Sequence, residues 1–385
     1  MKASVLGFGT IGRGVYDMLC AADGMECVSV LVRPGKKDAA FKVTDISEIT
    51  GDASVDTVAE VLGGTEPAFA YAAQALRHGK HVVTSNKALV AAHGLELDAI
   101  ARDMGRAFMF SAACGGGVPF LYNLSLAVET DTVLSLGGIL NGTTNYMLDL
   151  MQRKNLSYAE ALKDAQALGY AEADPTADVS GLDALRKIML GCAVGFDLLP
   201  VEGLLNEGIE SLTREDVADF KARRLTCRLM ARAGRNEDGG VHAYVEPVLF
   251  AENAPECSVL LNYNMARYEG KNSGPMVFMG QGAGRYPTAS ALLRDMSCIE
   301  SGRCHMLSPA CKSGAANNDA CLHSYYVRLP EKYASRLPIK QSILVENNAK
   351  VVTDRIPVSR MHALAAELRA AGAELFFAGL ESEDA

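Results

Sequence analysis

The first twelve residues limit the possible folds most strongly, because a short apolar segment leads directly into a glycine turn. Lys2–Leu6 is followed by GFGTIG at Gly7–Gly12, and Val15–Ala21 then shows an amphipathic helical pattern. A strand, a G-x-G-x-x-G turn and a helix in this order are typical of a dinucleotide-binding βαβ unit. The alternative is that the glycines serve only a tightly packed turn.

The segments that follow repeat the alternation of strand and helix. Further strands are predicted at Cys27–Val32, Val55–Val61, His81–Ser85 and Ala107–Phe110, and helices at Ala68–Arg77 and Leu89–Met104. Such short intervals indicate an α/β domain with a Rossmann-like, doubly wound parallel sheet.

After Asp131 the pattern changes to α+β with mostly antiparallel strands, and a glycine loop and helix follow over 280–300. We predict a nucleotide-binding domain over 1–135, a second α+β domain over 136–300 whose glycine loop and helix return to the cofactor, and a small α+β C-terminal segment over 301–385.

The charge balance excludes several classes of protein. The 385 residues include 37 basic and 46 acidic side chains, with a net charge of −9 and no dense cluster of lysine and arginine. Nucleic acid is therefore not an expected partner. The sequence contains no run of about 18 uncharged apolar residues, so no membrane span is predicted. The N-terminal segment lacks the apolar region of a signal peptide. We expect a cytoplasmic protein that contacts no membrane.

The ten cysteines offer a metal site or disulfides as alternatives to free thiols. Four of them lie close together in sequence with two histidines beside them: Cys298, Cys304, Cys311, Cys321, His305 and His323. No C-x-x-C pair is present, although zinc sites commonly use one. Reduced thiols in a cytoplasmic protein are the favoured interpretation.

The glycine turn supplies candidate contacts to a dinucleotide. Its first glycine permits the tight turn, and its second lets the backbone approach a pyrophosphate at the start of the helix. The candidate cofactor-binding residues of this turn are Gly7, Phe8, Gly9, Thr10, Ile11 and Gly12.

The end of the second strand indicates which dinucleotide binds. An acidic residue there would hold the ribose 2′-hydroxyl of NAD. Instead Arg33, Lys36 and Lys37 follow the strand, and Asp38 comes too late to be the obvious acid. Cationic side chains suit the 2′-phosphate of NADP, which we favour over NAD. The alternative is an exposed basic turn that binds nothing.

An acidic segment, LGYAEADPTADVSGLDALRK over 168–187, contains a charged pair at helical spacing. Gly169 and Pro175 predict a loop that precedes a helix, and Ser180 is expected to cap that helix. Asp183 and Lys187 then lie four residues apart on one helix face.

Two interpretations of this pair remain open from spacing alone. Exposed pairs of this kind are common and contribute only about 0.3–0.5 kcal/mol. The helix is nevertheless predicted to be largely buried, because its neighbouring residues are Leu182, Leu185, Ile188 and Met189. A buried charged pair is less expected to be idle.

Lys87 follows a predicted strand in the segment TSNKAL. Active-site residues of parallel sheets gather outside the carboxyl ends of the strands. A lysine there can hold a substrate or polarise a carbonyl, and free lysine is protonated at neutral pH because its pKa is about 10.4. The alternative is an exposed loop lysine.

Several segments together resemble one enzyme family. In chain order they are GFGTIGRG, GGTEP (63–67), HVVTSNKALVA (81–91), GGGVP (115–119), GILNGTTNYML (138–148), the acidic segment and GQGAGRYPTAS (280–290). Their order resembles that of homoserine dehydrogenases, and GTTNY and the acidic segment are specific to that family.

The resemblance implies the NAD(P)H-dependent reduction of aspartate β-semialdehyde to homoserine, in the biosynthesis of threonine, methionine and isoleucine. It also implies a homodimer formed through the catalytic domain, here 136–300.

The resemblance also implies roles for individual side chains. The substrate is a small amino acid with an ammonium group and a carboxylate, and Glu172 and Asp183 are expected to bind it. Lys187 is expected to transfer the proton. Independently of the resemblance, the position of Lys87 after a strand makes it a second candidate, expected to contact both substrate and cofactor. Catalytic roles are therefore assigned to Lys187, Lys87 and Asp183.

Four further residues of the shared segments are also interpreted. Gly169 and Gly282 are further candidate cofactor contacts. Asp174 and Asp178 are interpreted as loop-shaping or solvated acids.

The segment SAACGGGVP departs from the family. The family usually has a glutamate at the position of Ser111 and often a valine at that of Cys114. Its members bind a sodium-like ion here partly through backbone carbonyls. The carbonyls of Cys114, Gly116 and Val118 therefore stay candidate ligands of a monovalent cation. A nucleophilic role for Cys114 is not expected, because the reaction needs no covalent step.

The tail departs as well. Many family members end in a regulatory module with an aspartate-x-proline-glycine turn, whereas SYYVRL is followed here by PEKYASRLP. Threonine inhibition through residues 320–385 is therefore not expected.

Two alternatives to the leading function are another Rossmann oxidoreductase of amino-acid metabolism and a non-catalytic nucleotide-binding sensor. The presence of both Lys87 and Lys187 argues against the sensor.

Overall fold

The structure is a computed structural model that describes residues 1–36, 39–345 and 348–381. Lys37, one of the predicted cofactor contacts, and Asp38 lie outside the described residues. Packing divides the chain into two units. The first comprises Met1–Val133, Met189–Leu199 and Gly270–Ser313, and the second Leu134–Ile188, Pro200–Glu269 and Gly314–Ala385. The three-domain division made from the sequence stays a prediction.

The strands, in chain order, are β1 (Lys2–Leu6), β2 (Glu26–Leu31), β3 (Lys42–Val43), β4 (Thr57–Glu60), β5 (His81–Thr84), β6 (Phe108–Met109), β7 (Val133–Ile139), β8 (Leu198–Glu202), β9 (Leu205–Asn206), β10 (Leu225–Arg235), β11 (Val241–Ala251), β12 (Tyr263–Gly270), β13 (Gly274–Gln281), β14 (Lys312–Ala315), β15 (Leu322–His323), β16 (Tyr325–Pro330), β17 (Ile339–Val345), β18 (Asn348–Thr353), β19 (Ile356–Pro357) and β20 (Phe376–Leu380). The helices are α1 (Thr10–Ala21), α2 (Ile46–Thr50), α3 (Ala68–Arg77), α4 (Lys87–Asp103), α5 (Phe120–Ala127), α6 (Gly142–Lys154), α7 (Tyr158–Ala167), α8 (Thr176–Val179), α9 (Leu182–Phe196), α10 (Arg214–Ala222), α11 (Arg285–Glu300) and α12 (Val358–Ala370).

The first unit contains a parallel sheet in the order β3-β2-β1-β4-β5-β6. The strand order reverses between β1 and β4, and ligands of doubly wound sheets bind at such a switch point. Side chains in its central strands are fully buried, among them Val5, Val58 and Val82. The predicted Rossmann-like fold is therefore confirmed.

Helix α11 packs against α1 within this unit. A Cβ atom at Gly14 would lie only 2.6 Å from Cγ of Arg285, so a side chain there would separate the two helices. The glycine-loop helix predicted over 280–300 thus lies beside the helix that follows the glycine turn.

The second unit contains a mixed sheet in which β12, β7, β10, β11, β20, β16, β18 and β17 are successive neighbours. Strands β10 and β11 pair antiparallel along their full length, from Leu225 opposite Ala251 to Arg235 opposite Val241. The tail is α+β as predicted, and its strand β20 joins this sheet by pairing parallel to β11. Helix α12 covers the tail strands, with Met361 and Leu364 in a buried apolar cluster.

Several helices were not predicted. Helix α5 has the sequence FLYNLSLA, which is apolar without a clear helical period, and α10 is mostly polar. The short helices α2 and α8 contain only a single turn each, too little for a period to be recognised. Among the described residues, no helix is long and apolar enough to cross a membrane.

His242 on β11 provides a test of this packing. Burial, together with the nearby His323 and Arg232, lowers the pKa of His242 from 6.5 to about 4. Between these values the unfolded chain binds a proton that the folded chain excludes, so stability is lost as the pH falls through this window. We expect the urea midpoint to fall between pH 7 and pH 5, and His242→Gln to reduce that fall.

The control for this experiment is His78→Gln, because His78 is exposed. Urea unfolding of both variants at the two pH values is the measurement. An unchanged pH dependence in His242→Gln would contradict the packing described for β11.

Candidate active site

The charged pair of the acidic segment lies in the interior of the second unit. Nζ of Lys187 is 2.7 Å from Oδ2 of Asp183, and both residues are only 8% exposed. The same Nζ donates a hydrogen bond of 2.6 Å to the carbonyl of Leu140. The interpretation as an exposed surface pair is therefore excluded. Buried ion pairs contribute little net stability, because desolvation offsets the attraction.

Asn141 joins this pair to a second acid that sequence reasoning did not assign to the site. Nδ2 of Asn141 donates to Asp178 at 2.7 Å and to Asp183 at 3.0 Å. Its Oδ1 accepts from the backbone N–H of Thr144 at 2.8 Å and so caps α6. One amide therefore fixes the start of α6 and the two carboxylates together.

Asp178 is half-buried and not a solvated loop acid. Its pKa is raised, first by burial and also by the negative charge of Asp183, while the hydrogen bond from Asn141 opposes this shift. Two carboxylates and a lysine thus share one polar cluster, which can receive an ammonium group and a reacting oxygen.

The predicted cap of α9 by Ser180 is wrong. Ser180 ends α8 in a right-handed helical conformation, and its buried Oγ has no hydrogen-bond partner among the described residues. Gly181 takes the position before the helix instead. Its φ of +84° forms the turn, and its carbonyl accepts from Leu185 at 2.9 Å.

The two acids earlier in the segment are exposed. Glu172, a predicted substrate contact, is connected locally through its backbone carbonyl, which accepts from Gln166 at 3.1 Å. Asp174 accepts from the hydroxyl and the backbone N–H of Thr176, and these bonds lower its pKa. Asp174 therefore shapes the loop, as the sequence predicted. Gly169 forms an exposed turn at the end of α7, with a φ of +74°.

The glycine turn of the first unit leaves space above the start of α1. Gly7 has a φ of +106°, and a Cβ atom at Gly12 would lie 2.0 Å from the Gly7 carbonyl oxygen. At Gly9 a Cβ atom would meet nothing within 4 Å, so this face of the turn is open. Thr10 and Ile11 begin α1, and the open face can receive a pyrophosphate there.

Arg33 and Lys36 occupy an exposed turn after β2. The backbone N–H of Lys36 donates to the carbonyl of Arg33 at 3.0 Å, and Gly35 has a φ of +83°. Both cations are therefore accessible to an anionic group. Within the glycine turn at Gly7–Gly12, the ring of Phe8 contacts that of Tyr16 on α1, with ring centroids 5.7 Å apart.

Lys87 is partly buried and begins α4, directly after the helix cap Asn86. Nδ2 of Asn86 donates to the carbonyl of Gly64 at 2.7 Å and to Glu60 at 3.4 Å. Glu60 is fully buried at the end of β4, accepts from Thr84 at 2.5 Å, and has its pKa raised by burial. This network, which the sequence did not reveal, fixes the position of the Lys87 backbone.

The candidate cation segment is buried in the first unit. Cys114, Gly116 and Val118 are inaccessible or nearly so, and a Cβ atom at Gly116 would lie 2.6 Å from the carbonyl oxygen of Gly282. Ser111, at the start of this segment, donates from its backbone N–H (2.9 Å) and hydroxyl (2.5 Å) to Asp295.

Asp295, on α11, is a buried carboxyl that sequence reasoning missed. Burial raises its pKa to about 7, although the bonds from Ser111 oppose the shift. The local charge at this point therefore depends on pH near neutrality.

The structure thus places Lys187, Asp183, Glu172 and Gly169 in the second unit. The first unit holds the other described candidates, namely the glycine turn, Arg33, Lys36, Lys87, Gly282 and residues 114–118. The ten cysteines are free thiols. Within residues 1–36, 39–345 and 348–381, no group of three or more His, Cys, Asp or Glu side chains is arranged to hold a metal ion.

A parallel sheet in this order with an open glycine turn, together with a buried lysine–carboxylate pair, defines a dinucleotide-dependent oxidoreductase. Comparisons with known proteins specify it further. The family model for homoserine dehydrogenase matches residues 119–297, and the model for the NAD-binding domain of homoserine dehydrogenase matches residues 7–111.

Relatives and solved structures agree with these matches. The homoserine dehydrogenase of Bacillus subtilis is 36% identical over 316 residues, which cover 78% of this chain and 72% of that protein. That of Mycobacterium tuberculosis H37Rv is 40% identical over 311 residues, covering 76% and 70%. The crystal structure of a homoserine dehydrogenase from Thiobacillus denitrificans has a TM-score of 0.89 at 29% identity and covers 99% of this chain and 98% of its own. The Staphylococcus aureus enzyme has a TM-score of 0.75 at 26% identity, with 99% of each chain covered.

The chain belongs to the homoserine dehydrogenase family. It is an NAD(P)-dependent oxidoreductase that interconverts L-aspartate 4-semialdehyde and L-homoserine, as the shared segments predicted. The alternatives of a different Rossmann oxidoreductase and of a non-catalytic sensor are set aside.

The Asn141 bridge can be tested by two substitutions that both keep a cap for α6. Aspartate and serine are good N-cap residues, but Asn141→Asp puts a third carboxylate beside Asp178 and Asp183, whereas Asn141→Ser does not. We expect Asn141→Asp to lower kcat/KM for homoserine at least about tenfold more than Asn141→Ser, since like charges in a buried site disfavour ionisation. Equal losses in steady-state kinetics would show that the bridge acts only as a helix cap.

Proposed function

We propose that Lys187 is the proton-transferring residue and that Asp183 and Glu172 bind the substrate, with Asp183 also holding Lys187 in place. The observation that carries this assignment is the buried Lys187–Asp183 pair, whose Nζ also donates to the carbonyl of Leu140. The carboxylate of Asp183 and the carbonyl of Leu140 hold the ammonium group at a fixed position, from which it can donate to a substrate oxygen. Lys87 is proposed as a second substrate and cofactor contact.

The chemistry needs a proton donor beside a developing oxyanion. A bound nicotinamide dinucleotide supplies the hydride. As the aldehyde carbon is reduced, negative charge grows on its oxygen, and an ammonium group beside that oxygen stabilises the charge and then gives it a proton. In the direction of homoserine oxidation, the same lysine must be deprotonated to accept the hydroxyl proton. Asp183 and Glu172 are the proposed partners of the substrate ammonium, and Asp178 lies near Asp183 in the same polar cluster.

The test of this proposal is Lys187→Ala. Loss of a general acid typically lowers the rate about 10²–10⁴-fold, so kcat should fall by that factor while the affinity for NADPH stays near normal. Asp183→Ala should change both kcat and the KM for the semialdehyde. Because the two side chains act together, the double variant should be far less than multiplicatively worse than either single one.

Lys80→Ala is the matched control for removing a buried lysine. Lys80 is 6% exposed, and its Nζ also donates to backbone carbonyls, those of Asp52 (2.6 Å) and Val55 (2.8 Å). It should lower thermal stability without a comparable loss of kcat. If Lys187→Ala kept more than about a third of wild-type kcat, proton transfer would have to be assigned elsewhere.

A preference for NADP over NAD is proposed from the exposed cations Arg33 and Lys36, joined in sequence by Lys37. Gly169 and Gly282 are proposed as additional cofactor contacts. Arg33→Ala should raise the KM for NADPH far more than that for NADH, because only NADPH has a 2′-phosphate. The control is Arg77→Ala, an exposed arginine at the end of α3. An equal change in the KM for NADPH and the KM for NADH in the Arg33 variant would contradict a contact between Arg33 and the 2′-phosphate.

A monovalent cation such as sodium is proposed at the backbone carbonyls of Cys114, Gly116 and Val118, since hard cations prefer oxygen ligands. The nearby Asp295 is a source of negative charge when ionised. Sodium should raise both the melting temperature and the activity of protein dialysed free of alkali ions. No change in either would contradict the site.

A homodimer and a cytoplasmic location are also proposed. Exposed apolar side chains on β13, among them Val277 and Met279, favour a protein interface, and a second copy of this chain is the expected partner. Light scattering that gave only a monomer mass would contradict the dimer.

Free thiols favour a reducing compartment such as the cytoplasm. Recovery of the protein outside the cytoplasmic fraction would contradict that location.

A further inference from the structure

The tail of the second unit is connected to the acidic segment by a short chain of contacts. We infer that Arg369 in the tail and Glu207, the residue that follows β9, form a positioning pair that holds the turn before Asp183 in its working geometry. The inference rests on the proposed roles of Asp183 and Lys187.

The pair itself is bidentate and largely buried on the carboxylate side. Arg369, in the last turn of α12, donates from Nη1 to Oε2 of Glu207 at 2.8 Å and from Nη2 to Oε1 at 2.5 Å. Glu207 is 8% exposed. Paired geometry of this kind fixes orientation as well as distance. Arg369 therefore determines the direction of the Glu207 side chain.

Glu207 lies in a segment that contacts the turn before α9 directly. The backbone N–H of Ile209 donates to the carbonyl of Val179 at 2.9 Å, and Nδ2 of Asn206 donates to the carbonyl of Ser180 at 2.8 Å. At Gly208 a Cβ atom would lie 2.2 Å from the Val179 carbonyl oxygen, so the two backbones are in close contact. Movement of 206–209 would therefore displace 179–181.

The displaced turn stands between the two carboxylates of the site. Asp178 precedes it and Asp183 follows it by two residues in the first turn of α9. Both accept from Asn141, at 2.7 and 3.0 Å, so a shift of a few tenths of an ångström alters their spacing. Gly181, at the end of this turn, has a φ of +84° and no side chain that could anchor it.

The inferred role of the tail is thus to position the substrate-binding residues. Arg369 is proposed to contact neither substrate nor cofactor. It acts through Glu207 on the residues that bind the amino-acid part of the substrate, and it should leave the dinucleotide site of the first unit unaffected. The expected signature is a higher KM for homoserine with little change in the KM for NADP.

The experiment compares Arg369→Met and Glu207→Gln with the wild-type full-length chain. Each variant should raise the KM for homoserine about 5- to 20-fold, a usual size for coupling between sites, with the KM for NADP within about twofold. The double variant should resemble either single one, because the two side chains act as one unit. Arg369→Lys keeps the charge but not the fork, so it should give an intermediate KM.

Two controls separate positioning from general destabilisation. Arg336→Met breaks an exposed ion pair with Glu367, which lies on α12 as Arg369 does. This pair does not include Glu207, so the variant should leave kcat and both KM values unchanged. Met361→Ala removes a fully buried side chain from the tail core and should lower the melting temperature without raising the KM for homoserine.

Three outcomes overturn the inference. The pair has no positioning role if folded Arg369→Met keeps the wild-type KM for homoserine. It is only structural if Met361→Ala raises that KM equally at equal loss of melting temperature. It acts by another route if the KM for NADP rises in parallel. Asp183→Ala is assayed alongside to distinguish these failures from a failure of the proposed function. If Asp183→Ala kept wild-type kinetics, the proposed substrate-binding role of Asp183 would itself be wrong.

Discussion

Nζ of Lys187 lies between the carboxylate of Asp183 and the carbonyl of Leu140, and the arrangement of the second unit depends on this interaction. An ammonium group in the interior is costly unless every N–H finds an acceptor. The carbonyl comes from the residue after β7, and the carboxylate from the first turn of α9. The strand end and the helix start must therefore keep a fixed distance. Asn141, the residue after Leu140, spans that gap by donating to Asp183, and it also caps α6.

The same requirement explains why the surrounding backbone is so closely packed. The turn before α9 can approach 206–209 so closely only because Gly208 has no side chain. The tail strands continue the sheet through β20, and α12 brings Arg369 to Glu207. These contacts are the basis of the inferred role of the tail, which is to support the residues proposed to bind the substrate.

The sequence predicted the parts of the molecule that depend on local pattern. GFGTIG between an apolar segment and an amphipathic one predicted β1 and α1, and the spacing of Asp183 and Lys187 predicted a shared helix face. Local capping rules failed at Ser180, because the adjacent Gly181 adopts a backbone conformation that serine rarely takes. Asn141, Glu60, Asp295 and Arg369 could not be predicted, since each acts on a partner that only the fold brings near. The bond from Asn141 to Asp183 spans 42 residues, and that from Arg369 to Glu207 spans 162.

We propose that the buried Lys187 acts on the reacting oxygen during hydride transfer. Stopped-flow single-turnover measurement of NADPH oxidation, with and without deuterium at the transferred position, tests this most directly in Lys187→Ala. Hydride transfer should become slow and limit turnover, so that the isotope effect is expressed fully in kcat. Hydride transfer at the wild-type rate, with any loss confined to product release, would contradict the claim.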